Sequence, residues 1–259
     1  SRVCRPFFWG RNPSKQNFSF GNPDATSAGT KAVAPGKTTQ ALNELAEKLI
    51  IEGGDIPCFK NYQPEGASFP FPAGLCISVN DEVVHGIPGS RVLKEGDIVS
   101  LDLGLTHNGI VVDSALTVPV GKTDKASYDL MAATQASLEA AIAAAKVGAR
   151  IGDISHATEK AYKGTGFSVV KILGGHGVGG HVHEEPFVSN VGYPGTGPEI
   201  VSGMVLALEP IGNLGKGYVQ LGNDGYTYRT RDGSRSAHFE HTILIEDSGT
   251  TVVTRRPGE

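Results

Sequence analysis

The chain has 259 residues, of which 39% are hydrophobic and 19% charged, values typical of a globular protein that buries a sizeable core as one large domain or two fused halves. Its net charge of -4, from 23 basic and 27 acidic residues, argues against nucleic acid as a specific partner because phosphate binding depends on clustered cations. The sequence shows neither a secretion signal nor 18 consecutive apolar residues, so we expect no membrane association and a cytoplasmic location.

The cysteines disfavour one kind of metal site. Cys4, Cys58 and Cys76 are odd in number and form no C-x-x-C pair, which argues against a disulfide framework and against a thiolate zinc site. Any metal is therefore expected on oxygen and imidazole ligands.

The first predicted helix follows an irregular segment. Residues 1–32 mix aromatic residues with Gly, Pro, Ser and Asn and show no helical or strand period, so we predict an irregular N-terminal extension. Residues 38–52 carry apolar side chains at helical spacing, with Thr38 or Thr39 as the cap and Gly53 at the stop. This pattern predicts an amphipathic helix.

The next segments lead to a predicted hairpin. A loop rich in Pro and aromatic residues is expected over 55–75, then a strand over 76–79 and a turn-like segment over 80–89. Residues 98–105 and 110–118 alternate as strands do, and Asn-Gly lies in the short segment that joins them.

Two carboxylates converge in this hairpin. Whether the turn centres on residues 107–108 or 108–109, paired positions sum to an odd number, so Asp102 and Asp113 share one face. Burying two like charges costs several kcal/mol unless a positive group lies between them, and the pair therefore indicates a cation site. The alternative is that one Asp is an exposed strand residue and the other caps the turn.

The second half of the chain repeats the first in outline. Helices are predicted over 126–147 and 153–163, followed by strands broken by Gly-rich turns from residue 167. Gly36 and the helix that follows it match Gly148 and its helix at an offset of 112 residues. Two similar halves are implied, and we expect a site where they meet. The repeat also predicts a counterpart of the 126–147 helix near residues 14–35, although the glycines and the proline there disfavour a continuous helix.

A glycine-rich segment over 174–186 surrounds His176. Its glycines remove side chains from around the imidazole and let backbone approach whatever the ring contacts. The alternative is a flexible connector with incidental histidines.

Two further carboxylates lie in apolar strand-like runs, Glu209 after a buried-looking strand and Glu240 in a β-rich segment. Together with Asp102, Asp113 and His176 they make four carboxylates and one imidazole. Two divalent cations would cancel the resulting charge of -4, which is the logic of a two-metal hydrolase site. Oxygen-rich ligation suits Mn, Fe or Co better than a structural zinc site.

These motifs and their spacing closely resemble the methionine aminopeptidases of the bacterial type over about residues 33–256. The resemblance rests on V-N-D-E-V-V-H-G-I-P at 79–88, G-H-G-V-G around His176, His183 followed by Glu-Glu-Pro, Leu-Glu-Pro at 208–210 and Phe-Glu-His-Thr at 239–242. It implies a pita-bread α/β fold, with antiparallel sheet and flanking helices, in two pseudo-symmetric halves, about 33–122 and 123–259.

The resemblance also implies roles for the candidate residues. Asp113 and Glu240 would bridge two divalent ions (Co, Mn, Fe or Zn), Asp102 would complete the site of one ion, and His176 with Glu209 that of the other. Glu209 would relay a proton to the leaving amine.

Two further histidines would contact the substrate. His183 would face the carbonyl oxygen, and His85 would face the backbone around the scissile bond.

By the same resemblance a narrow apolar pocket would hold an unbranched thioether side chain. Its wall would include Cys58, Tyr62, Cys76, His85, Val182 and Tyr226, with Phe71 or Phe69 placed less firmly. Many relatives carry Phe in place of Val182 and Trp in place of Tyr226, and the loop from Gln63 to Gly74 is longer here. Pocket shape and tolerance for bulky second residues are thus expected to differ.

The remaining histidines have ordinary structural interpretations. His107 is predicted to be an exposed turn residue, His241 to face away from Glu240, and His238 to support the ligands. His181 shares a face with His183 and could line the cleft, but the Glu-Glu-Pro that follows favours His183.

The predicted activity is removal of the initiator methionine from a nascent polypeptide or peptide whose second residue is small, in a monomer that could act at the ribosome. A proline-specific peptidase of the aminopeptidase P or prolidase kind is the rival enzyme. A non-catalytic pita-bread protein that binds peptides or nucleic acid is the rival of another class.

Overall fold

The computed structural model describes residues 32–256 and 259, so the predicted irregular extension at 1–32 lies almost wholly outside them. Helices α1, α2 and α3 of the described residues span Thr39–Glu52, Lys125–Ala144 and Ile151–Ala161, as the sequence predicts to within a few residues. Thr38 caps α1 by accepting a hydrogen bond from the Ala41 amide. Within the described part, none of the helices combines the length and apolar character needed to span a bilayer.

The strands form antiparallel sheets. One sheet in the first half contains β1 (Ile56–Pro57), β2 (Leu75–Val79), β4 (Ile98–His107) and β5 (Ile110–Pro119). A large sheet in the second half contains, in the order β15-β14-β9-β7-β8, the strands β7 (Gly174–Gly177), β8 (Glu184–Ser189), β9 (Val205–Leu208), β14 (His241–Glu246) and β15 (Gly249–Val252).

Two three-stranded sheets complete the described fold. The first contains β3 (Glu82–Val84), β11 (Val219–Leu221) and β12 (Tyr228–Thr230). The second contains β6 (Ser168–Val169), β10 (Ile211–Asn213) and β13 (Ser236–His238). Strand β3 lies inside the segment 80–89 that the sequence predicts as a turn, because its short run pairs with the distant β12.

The β4–β5 hairpin has the predicted odd-sum register. His107 pairs with Ile110, so the turn centres on Asn108 and Gly109, whose φ angles of 48° and 83° suit a tight hairpin turn. Asp102 lies opposite Ala115, and Asp113 lies opposite Gly104. Both carboxylates therefore project from one face, as the sequence indicates.

The backbone is similar around the two glycines that the predicted repeat matches. Gly36 donates a hydrogen bond to the Leu93 carbonyl at 2.9 Å, and Gly148 donates one to the Ile200 carbonyl at 2.9 Å. Both glycines have positive φ, 87° and 83°, and each precedes a helix. The expected counterpart of α2 near 14–35 lies outside the described residues except at its end, and the boundary between the halves at residue 122 stays a prediction.

Each half buries its own apolar core between helix and sheet. In the first half, side chains of α1 such as Leu42 and Ile50 pack against Ile77 and Leu101. In the second, α2 and α3 pack on the large sheet, and residues such as Leu206 are fully buried. Burial of one such side chain stabilises the fold by about 1.5–3 kcal/mol.

The halves meet along β5. The Glu240 amide donates to the Ala115 carbonyl at 2.8 Å, and the Thr117 hydroxyl donates to the His238 carbonyl at 2.9 Å. This seam places the hairpin carboxylates beside the segment that links β13 to β14.

Candidate metal centre

The five predicted ligands come together where the halves meet. They line one cavity although they arise from separate elements: Asp102 on β4, Asp113 on β5, His176 on β7, Glu209 directly after β9 and Glu240 between β13 and β14. Among the described residues, Asp113, His176 and Glu240 each offer one ligand atom, and these atoms lie within 4.8 Å of one another. Nε2 of His176 is 3.5 Å from Oε1 of Glu209.

Backbone contacts aim these side chains into the cavity. The Ser114 amide donates to Oδ1 of Asp113 at 2.9 Å, and the Asp113 amide donates to the Thr242 hydroxyl at 2.8 Å. Nδ1 of His176 donates to the Gly177 carbonyl at 2.8 Å, which leaves Nε2 as the free nitrogen facing the carboxylates.

The glycines around His176 have a role different from the one the sequence suggests. A Cβ at Gly175 would lie 2.2 Å from the Ala207 carbonyl oxygen, and one at Gly177 would lie 2.3 Å from the Glu185 carbonyl oxygen. The missing side chains thus let β7 fit tightly between β8 and β9, so the segment is a strand of the large sheet and not a flexible connector.

The cluster is electrostatically unsatisfied without cations. The pKa values of Asp102, Glu209 and Glu240 are raised well above the ordinary range. Burial is the main cause, and the negative charges of the neighbouring carboxylates add to it. Burial raises the pKa of Asp113 to about 7, although hydrogen bonds lower it in part. Oδ1 of Asp102 and Oε1 of Glu240 are buried and have no hydrogen-bond partner among the described residues.

The donor set fits divalent cations. Burial, with a smaller contribution from His183, lowers the pKa of His176 to about 3, so its imidazole is neutral and able to act as a ligand. Buried carboxylate oxygens without partners are costly, and a divalent cation among them would satisfy them. The residues present therefore fit an oxygen-rich divalent metal site.

Two neighbouring histidines lie as expected. Nε2 of His238 is 3.8 Å from Glu209 and 3.7 Å from Glu240, beside the ligand carboxylates. His241 faces the other way, where Nδ1 is hydrogen-bonded to the Thr254 hydroxyl at 2.9 Å.

Two further histidines had open or different expectations. His181 is exposed and does not line the cavity, in agreement with the spacing that favours His183. His107, expected to be an exposed turn residue, is only partly exposed because Nδ1 lies 2.6 Å from the buried carboxylate of Asp55.

An apolar pocket adjoins the ligands in the same cavity, whose volume is about 70 Å³. Most of the residues predicted for its wall do line it: Tyr62, Phe71, Cys76, His85, Val182 and Tyr226. His183, predicted to contact the substrate carbonyl, lines the same cavity. Cys58 does not, because its Sγ lies over Gly104 and packs beside the cavity wall. Phe59 and Pro64 line the cavity without having been predicted, since periodicity does not reveal side-chain directions in a loop.

Tyr226 joins the pocket to the long loop at 63–74. Its hydroxyl donates a short hydrogen bond to the Phe69 carbonyl. The rings of Phe69 and Phe71 meet the Tyr226 ring edge to face, with centroids 5.1 and 5.2 Å away. The residue that replaces the expected Trp thus fixes the loop over the pocket.

His183 is held by an aromatic partner at the cavity mouth. Its Nδ1 lies 2.8 Å from the Tyr62 hydroxyl, and its ring centroid is 4.5 Å from that of His176. Burial lowers the pKa of His183 and raises that of Tyr62, so the imidazole is neutral and the phenol keeps its proton. When the phenol donates to Nδ1, the ring proton lies on Nε2, on the side away from Tyr62.

His85 has an unusual backbone conformation. Its φ of 58° is rare for a residue with a side chain and is characteristic of constrained functional positions. Burial, followed by the charge of His183, lowers the pKa of His85 to about 4, so the imidazole is neutral.

Comparisons with known proteins agree with this geometry. A family model described as metallopeptidase family M24 matches residues 23–247. Methionine aminopeptidase 1 of Bacillus subtilis is 45% identical over 225 residues, which cover 87% of this chain and 88% of that protein. Methionine aminopeptidase 1 of Mycobacterium tuberculosis is 42% identical, with 86% of this chain and 84% of that protein covered.

Solved structures give the same relation. The methionine aminopeptidase of Thermotoga maritima superposes with a TM-score of 0.86 at 41% identity, covering 90% of this chain and 92% of that one. The prolidase of Pyrococcus furiosus shares the fold with a TM-score of 0.68, at 21% identity and with 60% of its chain covered. The pita-bread architecture is therefore confirmed, and the chain belongs to metallopeptidase family M24, among the methionine aminopeptidases.

Proposed function

We propose that this chain removes the N-terminal methionine from peptides and nascent proteins whose second residue is small. The observation that carries the proposal is that the ligand cluster and a set of apolar and aromatic side chains line one small cavity. A side chain that enters the pocket brings the peptide bond that follows it to the carboxylates. The chemistry and the specificity thus lie in one cavity.

Five side chains would hold the metal: Asp102, Asp113, His176, Glu209 and Glu240. We assign two divalent ions (Co, Mn, Fe or Zn), because four carboxylates and one imidazole carry the charge that two such ions balance. Asp113 and Glu240, which lie together with His176, are the candidates to contact both ions. When bound, the ions supply positive charge that acidifies a water molecule and polarises the scissile carbonyl.

His183 is proposed to donate a hydrogen bond to the scissile carbonyl oxygen. We propose that the Tyr62 hydroxyl donates to Nδ1 of His183, which puts the ring proton on Nε2, where it can be donated into the cleft. His85 is proposed to contact the substrate backbone near the scissile bond, since its side chain lines the same cavity.

Glu209 is proposed to carry the proton to the leaving amine. Its carboxylate lines the cavity and lies 3.5 Å from Nε2 of His176, among the other ligands. A carboxylate at this position can take a proton from the attacking water and pass it to the leaving nitrogen.

The pocket is proposed to select an unbranched side chain. Its walls are apolar or aromatic, and Tyr226 fixes the loop that closes one side. One methylene in such a pocket changes binding by about 1–3 kcal/mol, which suffices to favour methionine over shorter or branched residues.

The decisive experiment uses protein stripped of metal by a chelator and reloaded with Mn²⁺, Co²⁺ or Fe²⁺. We expect release of Met from Met-Ala-Ser to return with the metal, whereas Ala-Pro-Ala should remain uncleaved. Failure of every metal to restore Met release would reject the proposal. Cleavage of Ala-Pro-Ala alone would instead identify a proline-specific peptidase.

A non-catalytic binding protein is the remaining rival. Relatives that only bind partners tend to lose ligands, and all five candidates are present here.

We propose that the enzyme acts as a monomer in the cytoplasm on chains emerging from the ribosome. Size-exclusion chromatography with light scattering and co-sedimentation with ribosomes test these two points.

A further inference from the structure

The segment after β15 sends a buried arginine towards the back of the metal site. Arg256 is only 8% exposed, and Nη1 donates to the Ser114 hydroxyl at 2.9 Å. Its Nε donates to Glu259 at 2.7 Å. The structure thus places a buried arginine, paired with Glu259, against Ser114, the residue next to the candidate ligand Asp113.

Ser114 joins this arginine to the backbone of two ligands. The Ser114 hydroxyl donates to the Glu240 carbonyl at 3.1 Å, while the Ser114 amide donates to Oδ1 of Asp113 at 2.9 Å. Arg256 therefore contacts the residue that sets the positions of both Asp113 and Glu240.

The segment after β15 also contacts β14, the strand that carries Thr242. The Thr254 hydroxyl accepts from the Thr242 amide at 3.0 Å, and the Thr242 hydroxyl donates to the Asp113 carbonyl at 2.8 Å. The segment after β15 is thus connected to Asp113 by two independent routes, one from Thr254 through Thr242 and one from Arg256 through Ser114.

Charge favours the same role. Four carboxylates repel one another in the cavity, and the guanidinium of Arg256, which is paired with Glu259, contacts the residue that holds two of them. A charged donor at this position makes a stronger hydrogen bond to the Ser114 hydroxyl than a neutral donor would.

We propose that Arg256, acting through Ser114, is a positioning residue that prepares Asp113 and Glu240 to bind divalent metal. The inference rests on the proposed metal site and adds a determinant that lies outside the ligands and the pocket. Arg256 touches neither substrate nor reacting atoms. Its effect should therefore appear in metal affinity, with turnover at saturating metal nearly unchanged.

The test is calorimetric titration of metal-free protein with Mn²⁺. Because supporting residues of metal ligands typically contribute 10–100-fold to affinity, Arg256→Gln is expected to weaken Mn²⁺ binding by about tenfold or more. Arg256→Lys keeps the charge and should recover part of the loss. Ser114→Ala removes the hydroxyl through which Arg256 acts, with its bonds to Arg256 and to the Glu240 carbonyl, and should weaken binding by about threefold to tenfold.

Arg255→Ala is the matched control. Arg255 belongs to the same segment, but its side chain is 35% exposed and pairs with Glu139 on α2. This variant should bind Mn²⁺ as the wild type does. Thermal unfolding of the metal-free variants separates a positioning role from a merely structural one, because a tail that only anchors the fold lowers the melting temperature and leaves Mn²⁺ affinity unchanged.

Wild-type affinity in folded Arg256→Gln would overturn the inference. If that variant does not fold, Arg256→Lys and Ser114→Ala decide, and wild-type affinity in both would overturn it equally. Met release by wild-type protein is measured first. A wild type that neither binds Mn²⁺ nor releases Met refutes the proposed function, whereas a normal wild type with unaffected variants refutes only the role of Arg256.

Discussion

The two halves of the molecule supply ligands to the same site in different ways. The first half contributes Asp102 and Asp113 from one hairpin, whose turn at Asn108–Gly109 sets their register. The second half contributes its ligands from three places that are distant in sequence: His176, Glu209 and Glu240. Local geometry thus determines one pair, and long-range strand pairing determines the remainder.

Strand pairing in the large sheet shows how the second half achieves this. His176 on β7 lies opposite Ala207 on β9, and His241 on β14 lies opposite Leu208. The two residues next to this pairing, Glu209 and Glu240, consequently leave the sheet at the same end. Because one hairpin fixes Asp102 and Asp113, we expect their positions to tolerate changes elsewhere in the molecule. The positions of the second-half ligands depend instead on correct pairing across the whole large sheet.

The largest expected effect separates the two hairpin ligands. Asp113→Ala should abolish binding of both ions and reduce activity by about a thousandfold or more, because several kcal/mol of charge stabilisation is lost. Asp102→Ala should weaken mainly one ion. Metal content after dialysis and calorimetric titration measure the two stoichiometries. Equal loss of metal in both variants would leave the site in place and reject the bridging role of Asp113.

A ligand of the second half should show a catalytic effect that metal content does not explain. Glu209→Gln keeps an oxygen donor but removes the group that carries a proton, so turnover should fall by about a hundredfold or more while metal remains bound. Turnover of Met-Ala-Ser at saturating metal is the measurement, and metal analysis is the control. Near-wild-type turnover contradicts a proton role for Glu209.

The first half is more predictable from the sequence than the second. An Asn-Gly turn and alternating strands are local signals, so they predict the shared face of Asp102 and Asp113 from the residues alone. His176, Glu209 and Glu240 stand out as polar groups in apolar or glycine-rich runs, but only the family resemblance places them together. No local pattern tells which strands pair.

Side-chain details are the least predictable. Pocket residues in loops, such as Phe59 and Pro64, have no period that fixes their direction. The hydrogen bond between Tyr62 and His183 spans 121 positions in sequence and leaves no sequence signal. The predicted role of the glycines around His176 is wrong in one respect, because the close approach is to neighbouring strands.

Those glycines provide a stability test of the second half. Gly175→Ala would bring Cβ to 2.2 Å from the Ala207 carbonyl, so β7 and β9 must separate. We expect a loss of about 3 kcal/mol in the free energy of unfolding, at the upper end of overpacking costs. Urea unfolding of metal-free protein gives the value. A loss below about 0.5 kcal/mol contradicts the tight packing of this strand.

A smaller effect is expected at the contact between the halves in the pocket mouth. Tyr62→Phe removes the hydroxyl that holds Nδ1 of His183, while the ring remains. Because a neutral hydrogen bond contributes about 1 kcal/mol, kcat/KM should fall about fivefold. His183→Ala is the reference, since combining it with Tyr62→Phe should add no further loss. Additive losses would show that Tyr62 acts independently of His183.

The smallest effect tests the internal repeat. Gly36 and Gly148 occupy equivalent turns, with φ of 87° and 83°, and a Cβ added at either glycine would have no atom within 4 Å. Alanine at either position meets only the cost of a left-handed backbone, about 1 kcal/mol. Gly36→Ala and Gly148→Ala should therefore destabilise the protein equally, and the double variant should lose the sum because the two turns bond to different partners, Leu93 and Ile200. Urea unfolding measures all three, and unequal losses would show that the equivalent turns differ in energy despite their shared hydrogen bonds.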